Sequence, residues 1–313
     1  MTGCDSWRRL PDGLTLTRWR AADGWELRRF GLAPADGVAP RGTLLFLGGR
    51  GDFIEKYLET YAHFQRRGWQ VHGFDWRGQG ESGRLGADKT LGHADDFSVL
   101  VDDLAAIMRD VRARAEGPMA AIGHSMGGHL LLRCLARGAP ACDAAVLVAP
   151  MLGFAGAPPS GVARLIASVA CAVGRSGKPA WRTGERPGDS RRQTSLTSSR
   201  ERYADEMWWR AANPALALGP PSWGWLRAAL ASNAAFDRPG VLEAVRVPIL
   251  LLAAGRDRLV SAAAIARAAA RLPDARLETL AKSAHEILRE NDVIRDRALG
   301  LIDGFFDIRA VAS

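Results

Sequence analysis

Cysteine is scarce in this chain of 313 residues: Cys4, Cys134, Cys142 and Cys171 are the full complement. They show neither paired spacing nor a Cys-x-x-Cys, which excludes a disulfide framework and points to reduced, mostly buried thiols. Long apolar runs are missing too. None reaches the roughly 20 residues a membrane-spanning helix needs, and the most apolar helical stretch, 161–174, is short and carries Arg164. A basic-then-apolar signal pattern is absent, because Trp7-Arg8-Arg9 runs into Pro11-Asp12-Gly13. There is no internal repeat and no nucleic-acid-binding motif. These absences set the expectation of a cytoplasmic protein that does not bind nucleic acid.

Lysine is also rare, so the net charge of +8 is carried by arginine. Such an excess suits an anionic partner, and peripheral contact with an anionic inner-membrane surface stays open. A merely basic protein is the plainer reading. Apolar content of 47% and charged content of 24% are ordinary for a globular chain. The length allows one large core plus an insertion, and no feature sets an oligomeric state.

Glycine, by contrast, is plentiful at 34 residues and falls at informative places. The apolar run Ala120-Ala121-Ile122 ends in Gly123-His124-Ser125-Met126-Gly127-Gly128, and a helical pattern follows at once. A Gly-x-Ser-x-Gly between strand and helix is a nucleophile elbow. The turn must be tight, with φ > 0 expected at Ser125, and the flanking glycines permit close backbone approach. The N–H of Met126, at the helix N-terminus, is placed to meet a developing oxyanion.

Around this stretch, strands alternate with helices. Residues 14–20 and 25–32 read as a hairpin across Asp23-Gly24. Strands follow at 43–47, 69–75, the elbow run from Ala120, 144–149, 247–255 and 275–280, with helices at 57–67, 97–114, 262–271 and from Glu286 to about Phe306. The pattern predicts an α/β fold, a mostly parallel sheet with helices on both faces. Between 153 and 245 the alternation stops. The expected organisation is a core of residues 1–152 and 246–313, with 153–245 inserted as a mainly helical cap.

A serine nucleophile needs a base. His285, in the loop after the last strand, is the best placed; His63, His72, His93, His124 and His129 read as packed or surface residues. Asp257 follows an apolar strand and is expected to orient His285; Asp274 is the fallback. The order Ser…Asp…His is that of α/β-hydrolases. A second oxyanion donor is expected from Gly48-Gly49-Arg50-Gly51, with the backbone N–H of Arg50 first and that of Gly49 second. A plain glycine turn is the alternative. Asp75 and Arg77 read as loop-holding residues.

Four stretches together resemble the lysophospholipase and monoacylglycerol lipase branch of the α/β-hydrolases. They are Leu47-Gly48-Gly49-Arg50-Gly51-Asp52-Phe53-Ile54-Glu55-Lys56-Tyr57, Asp75-Trp76-Arg77-Gly78-Gln79-Gly80-Glu81-Ser82-Gly83, Val101-Asp102-Asp103-Leu104 and the elbow itself. Gly83-Arg84-Leu85 and Leu91-Gly92-His93 look most like bacterial lysophospholipases. The resemblance is dense over 44–136 and returns at Asp257 and His285. One departure is that many relatives have His-Gly where this chain has Gly48-Gly49, so any side-chain role of that histidine is lost. The resemblance implies hydrolysis of a single-acyl-chain lipid ester through an acyl-Ser125 intermediate, with no metal and no cofactor. A general carboxylesterase, an acyltransferase and a non-catalytic lipid-binding protein of the same fold remain alternatives. In the insertion, Trp208, Trp209, Trp223 and Trp225, with Trp181, are candidates for an acyl-chain site. Arg182, Arg186, Arg191, Arg192, Arg200 and Arg202 are candidates for a phosphate group or an anionic surface. Packing of a small core and a solvated loop are the competing readings.

Overall fold

The computed structural model describes residues 5–138, 142–158, 160–181 and 190–310. Eight strands form one sheet: β1 (Leu14–Arg20), β2 (Glu26–Leu32), β3 (Gly42–Leu47), β4 (Trp69–Phe74), β5 (Met119–His124), β6 (Ala144–Val148), β7 (Ile249–Ala254) and β8 (Ala275–Leu280). Their spatial order is β1-β2-β4-β3-β5-β6-β7-β8. The β1–β2 and β2–β4 pairs are antiparallel, and every later pair is parallel. Every residue of β3, β5, β6 and β7 is buried. That burial explains their unbroken apolar composition, since a parallel strand covered on both faces has no polar side to show. The strand β8 is an edge and is mostly open to water, with Arg276, Leu277 and Thr279 exposed.

The covering helices in the core are α1 (Leu58–Gln65), α2 (Ser98–Arg112), α3 (Met126–Leu135), α8 (Ala262–Ala269) and α9 (Asp292–Arg309). The last differs from expectation. It begins at Asp292 and not at Glu286, because Asn291 accepts the N–H of Ile294 as an N-cap and a 3-10 turn occupies Ile287–Arg289. Between β6 and β7 lie α4 (Ser160–Ala170), α5 (Ser190–Leu196), α6 (Arg200–Ala212) and α7 (Trp223–Ala234). The polar stretch after Arg175 is therefore helical from 190 onward. Trp225, Ala228, Ala229, Leu242 and Val245 join the same buried cluster as the sheet, so the end of this segment packs as core.

Asp75 and Arg77 hold loops, as their spacing suggested. Asp75 receives the Arg28 Nε–H at 2.8 Å and the Ile54 N–H at 2.9 Å. Arg77 reaches Asp103 at 2.7 Å and Asp23 at 2.6 Å. Among the described residues Cys134, Cys142 and Cys171 are free, and burial pushes the thiols of Cys134 and Cys142 up to about 12. No helix among the described residues is long and apolar enough to cross a membrane. Leu147→Ala, at the centre of β6, is expected to lower unfolding free energy by about 2–5 kcal/mol, read by urea denaturation, with the site geometry retained.

Candidate active site

The strand β5 ends at His124 and α3 begins at Met126, which leaves Ser125 as the single turning residue. Its φ is 50° and its ψ −114°, the positive-φ conformation expected of it. A Cβ on Gly123 would stand 2.7 Å from Gly128 Cα, and one on Gly127 would stand 2.4 Å from the Leu47 carbonyl oxygen. Both glycines are required by backbone approach. The strained turn is held from β6: Ser125 N–H donates to Val148 O at 2.9 Å, and Met151 N–H donates to Ser125 O at 3.0 Å. Ala149 between them is itself left-handed, with φ 42°, although no glycine marks the bend.

Three side chains from distant parts of the chain meet there. His285 Nε2 lies 3.0 Å from Ser125 Oγ, and His285 Nδ1 lies 2.7 Å from Asp257 Oδ2. This geometry calls for the tautomer with the proton on Nδ1, donated to Asp257, and a free Nε2 facing the hydroxyl. Asp257 Oδ1 also accepts the N–H groups of Leu259 (2.8 Å) and Val260 (3.0 Å). Burial raises the Asp257 carboxyl, but the bond from His285 and these N–H groups outweigh it and hold it below its ordinary value. The His285 loop is tied to the inserted segment, since Glu286 N–H donates to Leu196 O at 2.7 Å. The fallback Asp274 is elsewhere, paired with Arg309 at 3.1 Å.

The other histidines are packed. His63 bonds Asp303, His93 bonds Ser222, and His129 bonds Ser232 and Met151 O. Burial pushes His72 down to about 4 and His129 down to about 3. His124 Nδ1 sits 2.9 Å from the Tyr57 hydroxyl and 3.1 Å from Asp52 Oδ2.

In the loop after β3, Gly49 N–H donates to Asp52 Oδ2 at 2.6 Å, and Gly51 N–H donates to Gln79 Oε1. Gly49 is thus occupied, whereas among the described residues the backbone N–H groups of Arg50 and Met126 have no acceptor in the chain. A Cβ on Gly49 would lie 3.0 Å from Ser125 Cβ, so the loop passes directly over the serine. A Cβ on Gly48 would lie 2.9 Å from Asp52 Cβ. Asp52 fills the space that a histidine side chain would need there.

Beneath this loop is a cluster the sequence reading did not find. Lys56 Nζ lies 2.7 Å from Asp52, 2.6 Å from Glu286 and 3.0 Å from Glu206 of α6, all buried. Only the i,i+4 spacing of Asp52 and Lys56 signals it; the other partners are far away in sequence. Burial raises the Asp52 and Glu206 carboxyls, but Lys56, joined by His124 at Asp52 and by Arg210, Arg192 and Arg289 at Glu206, outweighs it and holds both well below the carboxylate range. Burial lowers the Lys56 ammonium, and the same carboxylates more than restore it, leaving it raised.

Ser125 and His285 open onto a cavity of about 860 Å³, walled by Phe154, Ile166, Trp181, Trp223 and Trp225 among others. Trp208 and Trp209 are not in that wall. They meet edge-to-face at 5.0 Å, away from it, where Trp209 Nε1–H donates to Trp7 O and Arg8 lies over Trp208. Of the arginines singled out, Arg192 lines the cavity, while Arg202 is bound to Glu59 and Asp292, each at 2.7 Å. Arg182 and Arg186 lie outside the described residues.

The chain is similar to known proteins in sequence and in fold. The family described as serine aminopeptidase, S33, matches residues 38–292. The chain is 34% identical over 273 residues to lysophospholipase L2 of Escherichia coli K12, covering 83% of this chain and 78% of that one. A probable lysophospholipase L2 of Haemophilus influenzae is 29% identical, with 87% and 86% covered. In structure the chain resembles a soluble variant of monoglyceride lipase from Saccharomyces cerevisiae, with TM-score 0.74, 16% identity and 96% of each chain covered.

Lys56→Met is expected to destabilise the protein by about 3–5 kcal/mol, because three buried carboxylates lose their shared cation. The sign follows from the shifts. The depressed Asp52 and Glu206 contribute stability above pH ~4 that is lost as pH falls through their folded values, and the raised Lys56 contributes stability lost only as pH rises past ~10. Denaturation midpoints measured from pH 3 to 8 should show a steeper acid loss in the wild type than in the variant.

Proposed function

Because the chain belongs to the serine aminopeptidase S33 family of α/β-hydrolases, we propose that Ser125, His285 and Asp257 are its catalytic residues and that a lipid ester with one acyl chain is its substrate. The chain is an ester hydrolase. The observation that carries the residue assignment is the continuous hydrogen-bonded path from Ser125 Oγ through the imidazole to Asp257.

In this mechanism His285 Nε2 takes the hydroxyl proton as Ser125 Oγ attacks the ester carbonyl carbon. The carbonyl oxygen becomes anionic and is met by the N–H groups of Arg50 and Met126, a preorganised pair that costs no reorientation. Collapse breaks the ester C–O bond, and His285 returns the proton to the departing alcohol. Water then gives a proton to His285, adds to the acyl carbon, and the second collapse frees the carboxylic acid and restores Ser125. Asp257, kept ionised by its bonds, stabilises the imidazolium in both steps.

The cavity supports the choice of substrate. Its size and apolar walls suit one alkyl chain. A free amino terminus finds no open carboxylate there, since Asp52 and Glu286 are both held by Lys56. In our reading residues 153–245 cap the site and α4 meets the lipid surface. Val162, Leu165, Ile166 and Val169 on that helix are 48%, 64%, 48% and 53% exposed, while Ile166 also lines the cavity. Arg164, Arg175 and Lys178 lie along the same segment and favour an anionic bilayer.

Activity against lysophospholipid, monoacylglycerol and short 4-nitrophenyl esters is the decisive panel. Turnover of the long single-chain lipids is expected, and Ser125→Ala should cut kcat by about 10³-fold or more and abolish fluorophosphonate labelling. Activity confined to short esters would remove the lipid substrate. Leu165→Glu with Val169→Glu should reduce co-sedimentation with phosphatidylglycerol vesicles at least several-fold while leaving turnover of a soluble ester intact; unchanged sedimentation would remove the docking role of α4.

A further inference from the structure

We propose that the side chain of Arg50 is an anion receptor in the wall of the catalytic cavity, taking the phosphate on the alcohol side of a single-chain ester. The inference rests on the ester-hydrolase reading above and deepens it by naming what distinguishes one such ester from another.

Arg50 has two separable parts. Its backbone follows Gly49, where an added Cβ would lie 3.0 Å from Ser125 Cβ. Its guanidinium runs along the cavity wall toward the inserted segment, where Nη2–H donates to Gly219 O at 2.5 Å and the group lies 5.3 Å from the Trp225 ring. Nε is buried without a hydrogen-bond partner, and among the described residues Arg50 has no carboxylate. Arg50 is half-buried, and the buried arginines of this chain are treated differently. Arg28 has Glu55 and Asp75, each at 2.8 Å, and Arg77 has Asp23 and Asp103 at 2.6 and 2.7 Å. A guanidinium partly withdrawn from water without a counter-ion is better satisfied when an anion arrives. A single bond to one carbonyl does not need a permanent cation.

The surroundings add to the demand. Arg192 and Arg210 also line the cavity, and their carboxylate Glu206, at 3.2 and 2.7 Å, is shared with Lys56. Burial pulls Arg50 down to about 9, and the charges of Arg192 and Arg210 push it the same way. Guanidinium presents paired N–H donors that match phosphate oxygens. The spacing fits as well. The oxyanion donor and the guanidinium belong to one residue, so carbonyl and anion are separated by about one arginine side chain. A glycerol unit sets a comparable number of bonds between its ester carbonyl and its phosphorus.

The test compares kcat/KM for 1-myristoyl-glycerol-3-phosphate and 1-myristoylglycerol in the same mixed micelles, for the wild type and Arg50→Met. The ratio is the readout, so any disturbance of the Arg50 backbone cancels. We expect the wild type to prefer the phosphate ester, and the preference to fall about 10-fold or more in the variant, mainly through KM. A wild-type ratio near one, or a ratio unchanged in the variant, overturns the proposal. Inorganic phosphate as an inhibitor of 4-nitrophenyl hexanoate hydrolysis separates the sources. Inhibition in the wild type, lost in the variant, assigns the site to free phosphate as well as to the lipid; a fall in the ratio without inhibition assigns it to the tethered group alone. If neither lipid is turned over while the soluble ester is, the lipid substrate fails separately, and the anion site then stands on phosphate inhibition and falls without it. Should Arg50→Met not fold, the wild-type ratio and Arg50→Lys decide, with a partial loss expected because lysine keeps the charge but not the fork.

Discussion

One ammonium group joins the parts of this site. Lys56 reaches from the start of the α1 region to Asp52 in the loop over Ser125, to Glu286 next to His285, and to Glu206 in α6. The loop after β3, the histidine loop and the inserted segment therefore share a single buried cation. Three carboxylates cannot be packed together without it, and it cannot be buried without them. The exchange of partners makes the positions of three distant segments conditional on one another. Arg289 and Arg192 extend the cluster by bonding Glu286 and Glu206 in turn.

Around that hub, the nucleophile turn is a place where backbone sterics act with little slack. Ser125 occupies a conformation that L-residues rarely adopt, and the β6 end holds it with two hydrogen bonds. The glycines at 123 and 127 leave room for α3 to press against the sheet, and Gly49 lets the next loop cross the serine. The same crowding explains why position 48 is a glycine. Asp52 takes that space, and its carboxylate collects the Gly49 N–H, the Tyr57 hydroxyl, His124 and Lys56. The loop is thereby fixed with the Arg50 N–H left over.

The cavity divides its walls by chemistry. Aromatic and aliphatic side chains from the inserted segment supply the apolar surface, and arginines gather toward Gly219 and α6. Many of the arginines are held in ion pairs, such as Arg202 with Glu59 and Arg29 with Asp110. What matters for a ligand is the Arg50 charge, which among the described residues has no carboxylate and lines the same cavity as Ser125. Net charge alone does not locate it.

Much was decided by local rules that a sequence displays directly. Unbroken apolar strands, helical stripes and glycines at tight turns gave the α/β alternation, the elbow and the candidates Asp257 and His285, since each depends on a few neighbouring residues. Helix α9 was displaced because an N-cap at Asn291 and a 3-10 turn compete with the apolar pattern. Other features arose only when the chain closed on itself. Trp208 and Trp209 share a composition with Trp223 and Trp225 but turn away from the cavity, because the orientation of α6 is set by Glu206 and Arg202 reaching the core. Nothing local marks Lys56, Glu206 and Glu286 as partners until three separate segments bring them together. Local conformational preference is written in short stretches of sequence, whereas burial of a charge depends on partners that only the tertiary structure supplies.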